Sequence, residues 1–299
     1  TTPPVAPVAS AASAVSATGF NANWGSVSGA TKYWLDVATD SGFTNMVGGY
    51  SNKDVGNATT AAVTGLASGT TYHYRVRAYN GTSSSASSNT ISATTGASLT
   101  VTNTNDSGPG SLRQTLADAN PGDTVTFAGG VTGTITLATT LSITKDLTIT
   151  GPGAAVLAVS GNNAVRVLSI DSGVTLNWSD LTVANGKYVT PSSGTLTAPG
   201  GGGLVNYGTL SLQNCAFNGN ATVGEHPGYG VLGGAINNVL GTVTIHNCTF
   251  SGNSATHSVS AMAGMGGAIA NLATMSVTNS TFVNNAAKSS GGGLYSSSG

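Results

Sequence analysis

Short runs of alternating apolar and polar residues recur along the chain, separated by Gly, Asn, Pro and Ser. Alternation with a period of two predicts β-strands that turn one face inward. One segment differs, because residues 112–119 place Leu112, Thr115, Leu116 and Ala119 on one face of a helix directly after Ser111. This pattern predicts a short helix with Ser111 as its N-cap. The chain is therefore expected to be all-β apart from this helix.

In residues 1–97, turn signals separate the alternating runs about every 8–12 residues, which is typical of an antiparallel β-sandwich. The aromatic residues expected in its core or at its corner are Trp24, Tyr33, Tyr72 and Tyr74. Arg75 and Arg77 are two positions apart on one strand, so both side chains point to the same face. We expect them to pair with solvent or with Asp36 rather than to bind a ligand.

The stretch L-A-S-G-T-T-Y-H-Y-R-V at residues 66–76 resembles the E–F corner of fibronectin type III domains, with Tyr72 as the corner tyrosine. The resemblance covers nearly all of residues 1–97 and departs at Ser68, where the family often has proline. It implies a fibronectin type III-like sandwich that serves as a spacer or as a binding face.

Residues 201–299 contain three copies of one sequence repeat and the beginning of a fourth, with consecutive copies offset by 32 and 33 residues. Each complete copy opens with glycines, continues with short alternating runs and reaches F-x-x-N. A repeat of this length built from strands and turns predicts a solenoid whose copies stack on one another. The matched positions are Asn214, Asn247 and Asn279; Phe217, Phe250 and Phe282; and Asn220, Asn253 and Asn285.

Strand–turn repeats of this kind predict a parallel β-helix, in which each coil hydrogen-bonds the next at a spacing of about 4.8 Å. The phenylalanines are expected to fill the interior. The asparagines are expected at corners, where they tolerate left-handed geometry and bond the amides above and below. Cys215 and Cys248 occupy equivalent places in adjacent copies, about 5 Å apart. They are either a buried pair of thiols or a disulfide, and two thiols alone make no zinc site.

Residues 99–299 resemble the β-helical surface proteins of bacteria. The opening S-G-P-G-S-L-R-Q at residues 107–114 carries this resemblance, together with G-G-A-I and F-x-x-N elements similar to polymorphic outer-membrane-protein repeats. It implies a right-handed, pectate-lyase-like parallel β-helix over residues 98–299, whose segment 99–127 caps the open end. That length allows roughly seven or eight coils. Arg113 in the helix is expected to be exposed or ion-paired rather than catalytic.

Charged residues make up only 6% of the chain and the net charge is −1, so Ser, Thr, Asn and Gly carry the polarity. This composition is typical of extracellular β-rich proteins and offers no basic patch for nucleic acid. No apolar run approaches the roughly 20 residues that span a bilayer. Because the chain begins at Thr1 rather than Met, we expect a processed or excised piece.

Polysaccharide chemistry on a β-helix needs paired carboxylates, or carboxylates that hold calcium beside a base. The few acidic residues of this β-helix lie mostly in predicted turns or in the cap helix, and none belongs to a repeated column. We therefore expect no catalytic, metal or cofactor site. Three longer excursions interrupt the coils, at residues 187–203, 222–232 and 256–264. Insertions in a solenoid map to loops on one face, and Glu225, His226 and Tyr229 form a possible binding loop.

These observations predict a secreted or cell-surface, non-enzymatic structural or adhesive protein. We expect it to self-associate into a fibre through the β-helix ends or the N-terminal domain. One alternative is a glycan-binding adhesin that uses the loops around Tyr188 and residues 225–229, and another is a polysaccharide lyase or hydrolase. Exposed aromatic rows and paired acids would favour these alternatives, and the sequence shows neither. The expected partners are thus further copies of the chain or cell-surface glycans, without nucleic acid or a membrane span.

Overall fold

A computed structural model describes residues 2–96, 98–190, 200–225, 230–258 and 263–297. The described chain is almost entirely β-structure with one short helix, and it divides into two compact units. The first unit holds Thr1–Ser98 and Asn120–Thr124, and the second holds Leu99–Ala119 and Val125–Gly299. An antiparallel sandwich forms the first unit and a parallel β-solenoid forms the second. The predicted fold class is thereby confirmed.

Seven described strands in two antiparallel sheets build the sandwich and turn alternate side chains into a shared core. Their bounds are β1 Ala9–Ser16, β2 Gly19–Trp24, β3 Lys32–Ala38, β4 Lys53–Asp54, β5 Thr60–Thr64, β6 Thr71–Tyr79 and β7 Ile91–Thr94. The sheets are ordered β1-β2-β5 and β4-β3-β6-β7. Along β6 burial alternates residue by residue, so Tyr72, Tyr74 and Val76 face the core while Arg75 and Arg77 face outward.

Aromatic side chains fill the sandwich, and their hydroxyl groups reach the backbone of neighbouring loops. The exposed fraction is at most 5% for Trp24, Tyr33, Tyr72 and Tyr74. Tyr72 Oη accepts a hydrogen bond from Ala67 N at 2.9 Å, which closes the corner expected at this tyrosine. Tyr33 Oη accepts a hydrogen bond from Val27 N at 2.8 Å. A buried hydroxyl group with such a partner avoids the cost of an unpaired polar group.

Every coil of the solenoid runs through the same three sheets in the same order, and equivalent strands of consecutive coils pair in parallel. Within the described residues, two sheets hold six strands each, which makes six coils. Strand β8 Ser98–Val101 precedes the first coil. The first three coils consist of β9 Asp123–Phe127, β10 Gly133–Thr136, β11 Leu141–Ile143, β12 Leu147–Thr150, β13 Leu157–Ser160, β14 Leu168–Ile170, β15 Thr175–Ser179, β16 Thr182–Ala184, β17 Lys187–Val189 and β18 Leu204–Asn206.

A fourth sheet has one strand in each of the third to sixth coils, and a fifth sheet has one strand in each of the fourth and fifth coils. The strands of the last three coils are β19 Thr209–Gln213, β20 Ala216–Asn218, β21 Ala221–Gly224, β22 Val231–Leu232, β23 Ile236–Asn238, β24 Thr242–His246, β25 Thr249–Ser251, β26 Ser254–His257, β27 Gly264–Met265, β28 Ile269–Asn271, β29 Thr274–Thr278, β30 Thr281–Val283, β31 Ala286–Ala287 and β32 Leu294–Ser296. The sheets are ordered β8-β9-β12-β15-β19-β24-β29, β10-β13-β16-β20-β25-β30, β11-β14-β18-β23-β28-β32, β17-β21-β26-β31 and β22-β27.

Apolar columns fill the solenoid, because the parallel register places equivalent residues of consecutive coils directly on one another. One column consists of Ile149, Trp178, Leu212, Ile245 and Val277. Its first four members are at most 1% exposed, whereas Val277 in the sixth coil is only partly buried. Each inward residue therefore packs on its counterparts in the coils on both sides, and a defect in one coil reaches its neighbours.

Helix α1 Leu112–Asp118 packs its apolar face into the cluster that continues through the coils. Ser111 is the N-cap, and its Oγ accepts a hydrogen bond from a backbone N–H of the first turn at 3.2 Å. The prediction of a capped helix at residues 112–119 is therefore confirmed. The helix ends one residue earlier than expected, since Ala119 is extended at ψ 148° and the next residue precedes Pro121.

The segment that precedes the first coil explains the number of coils. Residues 99–122 supply β8 and the cap helix rather than a further turn, so the described solenoid has six coils instead of seven or eight. Arg113 of the helix pairs with Asp106 at 2.7 Å and donates to the carbonyl oxygens of Thr139 and Thr140 at 2.6 and 3.2 Å. Its side chain therefore holds the cap to the first coil.

Candidate functional site

The three excursions leave the solenoid at the same position on consecutive coils. Strands β17, β21 and β26, which precede them, are neighbours in one sheet and pair in register, so Val189, Val223 and Thr256 form one row. On the return side, Val231 pairs with Gly264, and Gly200 forms a bridge to Leu232. We name this side of the solenoid the loop flank, defined by the strand ends at residues 190, 200, 225, 230, 258 and 263.

The excursions include fewer residues than the sequence predicted. Residues 187–189, 222–224, 231–232, 256–257 and 264 belong to strands, because each of these coils has an additional sheet that the alternation pattern did not reveal. Residues 191–199, 226–229 and 259–262 lie outside the described residues. The expectation that insertions gather on one face is met by the strand ends that flank them.

The possible binding loop is described only at its first residue. Glu225 is exposed, and its backbone N donates a hydrogen bond to Thr190 Oγ1 at 3.2 Å across the loop flank. His226 and Tyr229 lie outside the described residues, so a site made of these three side chains stays a prediction.

Arg166 fastens the start of the strand that returns at Gly200. Its Nε donates to Gly201 O at 2.8 Å and its Nη2 donates to Gly200 O at 2.7 Å. The guanidinium group also lies 4.3 Å from the ring centroid of Tyr188, a cation–π contact that covers this half-buried ring. Burial lowers the pKa of Arg166 from its ordinary value, although arginine keeps its charge in proteins. Tyr188 is thus engaged by its own chain.

The repeated phenylalanines form a continuous stack inside the solenoid. The ring centroids of Phe217 and Phe250 are 5.0 Å apart with an interplanar angle of 13°, and those of Phe250 and Phe282 are 4.8 Å apart with an angle of 7°. Phe217 and Phe250 are fully buried, and Phe282 in the sixth coil is partly exposed. The stack follows from the strand register, which pairs these residues directly.

The first asparagine column lies at a corner in left-handed geometry. Asn214, Asn247 and Asn279 have φ values of 55°, 54° and 49°. Asn247 Nδ2 donates to Asn214 Oδ1 at 2.7 Å, and Asn214 Nδ2 donates to Asp180 Oδ1 at 3.0 Å. Asp180 also has a positive φ of 57°, so it continues this column into the third coil. The Asp180 carboxylate thus accepts the hydrogen bond that links this corner to the next coil.

The second asparagine column lies inside the solenoid, and its asparagines do not have the left-handed geometry of the first column. Asn220 Nδ2 donates to Asn253 Oδ1 at 3.0 Å, and Asn253 Nδ2 donates to Asn285 Oδ1 at 2.9 Å. The left-handed residue is the preceding one in each coil, with φ values of 63° at Gly219 and 65° at Gly252. Each amide also serves backbone groups, as when Asn253 Nδ2 donates to Phe217 O at 2.9 Å. This column therefore satisfies backbone polar groups inside the solenoid.

A third asparagine column was not among the predicted positions. Asn206 Nδ2 donates to Asn238 Oδ1 at 2.9 Å, and Asn238 Nδ2 donates to Asn271 Oδ1 at 2.7 Å. In the sixth coil Ser296 takes the next place and accepts from Asn271 Nδ2 at 3.1 Å. The signal was present in the sequence, because all three asparagines stand two positions after the matched Leu or Ile of each copy.

The two cysteines are free thiols buried on adjacent coils. Cys215 N lies 3.4 Å from Cys248 Sγ, and the exposed fractions of the two residues are 3% and 2%. The hydrogen bond between the thiols, together with burial, raises the pKa of Cys215 well above its ordinary value. Both side chains are buried in the solenoid and pack like small apolar residues. In the described part of the chain, three or more His, Cys, Asp or Glu side chains never gather as metal ligands would.

Comparison with known proteins identifies the sandwich. Residues 5–94 match the model of the fibronectin type III domain. The sandwich is a fibronectin type III domain. The predicted resemblance of residues 1–97 is thereby confirmed, and the Tyr72 corner lies inside the matched segment. No curated protein matches the chain. None of the helices that the structure describes is long and apolar enough to cross a membrane.

Solved structures similar to this chain cover about its first third. A fibronectin type III domain of human fibronectin type III domain containing protein 3 is 23% identical, covers 32% of this chain and 88% of its own, and has a TM-score of 0.26. Domains from titin are 24% identical and cover 31% of this chain and 32% of theirs, with a TM-score of 0.26. An Fn3-like protein from Clostridium thermocellum is 24% identical and covers 30% of this chain and 86% of its own, with a TM-score of 0.24.

Proposed function

We propose that this protein is an extracellular structural or adhesive surface protein whose solenoid is a stiff scaffold and whose copies associate coil upon coil. Fibronectin type III domains are common in adhesion and structural proteins, which supports the broad class. A composition with 6% charged residues, dominated in its polar part by Ser, Thr, Asn and Gly, supports the location outside the cell. The role is proposed as non-enzymatic because the repeated polar columns are used for bonding between coils.

One observation carries the association of copies. The interior columns run in register to the sixth coil, where β29 is the last strand of its sheet and Met275 and Val277 are only partly buried. A further coil with the same repeat would bury these side chains and pair the open strand edge, whichever chain supplies it. Among copies of these 299 residues, a second copy carries coils of this repeat and therefore has the shape and chemistry that fit.

The experiment compares the 299-residue chain with two variants on β29. Val277 points inward and Ser276 points outward on the same strand, so Val277→Glu and Ser276→Glu add the same charge to opposite faces. We expect the unmodified chain to form concentration-dependent assemblies in sedimentation velocity and rods longer than one copy in electron microscopy. Val277→Glu should abolish them, because an unpaired carboxylate would be buried between coils. Ser276→Glu should preserve them.

Two outcomes would contradict the association. An unmodified chain that stays a monomer at every concentration would remove the basis of the proposal. Equal assembly of both variants would show that the contact lies elsewhere than on the inner face of the sixth coil. Circular dichroism melting of each variant separates loss of association from loss of folding, since a glutamate in the sixth coil should leave coils one to four intact.

A glycan-binding adhesin is the second candidate, and the loop flank favours it. Three excursions on adjacent coils emerge from one side, which is the arrangement of a binding face on a solenoid. Glycan binding by the 299-residue chain that is lost in Glu225→Gln would support this role over a purely structural one.

A further inference from the structure

The charge of the fibronectin type III domain is concentrated on one sheet. All four Lys and Arg residues between positions 1 and 98 lie on β3, β4 and β6, namely Lys32, Lys53, Arg75 and Arg77. In a chain with only nine such residues, this is a strong local grouping. Two of the four, Arg75 and Arg77, face the same open cleft of about 270 Å³. We name it the arginine cleft; Asp36, Phe43, Ser51 and Asn52 also line it.

The hydrogen-bond donors in the arginine cleft outnumber the acceptors. Asp36 Oδ2 faces both arginines, at 3.1 Å from Arg75 Nε and 3.5 Å from Arg77 Nη2. The other carboxylate oxygen, Oδ1, accepts from Asn52 N at 2.7 Å. Each guanidinium group has five N–H donors, and neither Nη atom of Arg75 meets an acceptor among the described residues. One carboxylate therefore leaves a net positive charge and free planar donors.

An incoming anion would meet the arginines before it meets Asp36. The side chains of Arg75 and Arg77 are 33% and 25% exposed, whereas that of Asp36 is 4% exposed. The buried carboxylate holds the two guanidinium groups from behind. The open edges of the arginines are therefore presented to solvent, and the repulsion from Asp36 is shielded by them.

Neighbouring groups hold the arginines in place. The Arg75 guanidinium lies 4.0 Å from the ring centroid of Phe43, and Arg77 Nη2 donates to Asn52 Oδ1. Side chains fixed in this way lose little conformational entropy when a ligand binds. A planar guanidinium with two parallel N–H groups is the best protein partner for a carboxylate.

We propose that the arginine cleft binds the carboxylate of an acidic sugar, such as the uronic acid units of an extracellular polysaccharide. Hydroxyl and amide groups of Ser51, Asn52 and Ser87 line the same cleft and can exchange hydrogen bonds with sugar hydroxyls. Next to the cleft, Trp34 is paired directly opposite Arg77 and packs edge-on against Tyr79 at 6.3 Å. The Lys32 ammonium lies 4.1 Å from the ring centroid of Trp34 and 5.4 Å from that of Tyr79, so a cation covers these half-buried aromatics beside the cleft.

This inference goes beyond the proposed scaffold role and does not depend on association of copies. The titration therefore uses the full 299-residue chain in the Val277→Glu background, in which coil-upon-coil association is expected to be absent. Any remaining binding is that of a single chain, so multivalency does not enter the measured affinity.

The experiment measures binding of oligogalacturonate by calorimetry, with neutral oligogalactose and a poly-glutamate peptide as comparison ligands. We expect binding of oligogalacturonate, which should weaken when salt is raised from about 50 to about 300 mM. Arg75→Gln should reduce the affinity about tenfold or more. Arg75→Lys should lie between the two, because the charge stays while the planar fork is lost. The neutral sugar should not bind.

Lys53→Gln is the matched control, because Lys53 lies on the same sheet outside the cleft, with its ammonium over the ring of Tyr50. Its affinity should stay within about twofold of the unmodified chain. Circular dichroism melting of Arg75→Gln shows whether the domain is folded. Absence of oligogalacturonate binding, or equal losses in Arg75→Gln and Lys53→Gln, would overturn the proposal. Binding of poly-glutamate alone with the same arginine dependence would overturn it in favour of an acidic protein partner.

Discussion

The fibronectin type III domain and the solenoid both bury polar side chains, but they satisfy them in different ways. In the domain each buried tyrosine hydroxyl has its own backbone partner, as when Tyr72 accepts from Ala67 N and Tyr33 accepts from Val27 N. In the solenoid one asparagine bonds the equivalent asparagine of the next coil. Each of these hydrogen bonds in the domain therefore stands alone, whereas each asparagine hydrogen bond in the solenoid is part of a column that runs through several coils. Damage should stay local in the first and spread along the axis in the second.

The largest expected effect comes from Phe250→Ala. The middle ring of the stack has a phenylalanine on each side, so its removal leaves a cavity that neither neighbour can fill. The cost to the free energy of unfolding is about 3–5 kcal/mol. Hydrogen exchange should show faster opening of the fourth, fifth and sixth coils. Exchange that rises in the fifth coil alone, or an unchanged melting curve, would contradict the claim that damage in the solenoid spreads to neighbouring coils.

A smaller loss is expected from Asn253→Ala. The change leaves two buried donors of Asn220 and the carbonyl oxygen of Phe217 without their partner, at a cost of about 2–4 kcal/mol. The matched control is Asn218→Ala on the neighbouring coil, since Asn218 is exposed. It should change stability by less than about 0.5 kcal/mol. Thermal unfolding of both variants measures the difference, and equal losses would mean that the column contributes nothing beyond its composition.

The smallest of the three effects is expected from Tyr72→Phe in the domain. The substitution removes one hydroxyl group and leaves Ala67 N without its acceptor, which costs about 1–2 kcal/mol. Hydrogen exchange should increase around residues 64–74 and stay unchanged in the solenoid. Faster exchange in the coils would show that the two regions do not respond separately.

The same contrast explains how much of the fold could be predicted from the sequence. Repetition places equivalent residues at fixed offsets, so the stack of Phe217, Phe250 and Phe282 could be expected from the text of the repeat. The tyrosine corner could be expected as well, because its motif is local. The third asparagine column repeats equally well but is harder to recognise in the sequence, because Asn238 directly follows another asparagine.

The arginine cleft could not be expected in the same way. Asp36 is 39 residues from Arg75 in sequence, and only the antiparallel register of β3 and β6 places them opposite each other. The sequence predicts that Arg75 and Arg77 share a face and pair with solvent or with Asp36, but it does not show that Phe43 and Asn52 of the β3–β4 connection hold them. Non-local pairing of this kind leaves no periodic signal.

The loop flank has a consequence for how this chain can change over time. Strands on both sides of each excursion are fixed in register by neighbouring coils, so the length of the excursion is free to vary without moving any of them. Doubling such a loop costs only about 0.6 kcal/mol in closure entropy. Insertions and deletions at this one side are therefore nearly neutral for folding, while the same changes within a strand would shift every inward residue outward. Selection can thus act on the loops of successive coils as a variable surface on a constant frame.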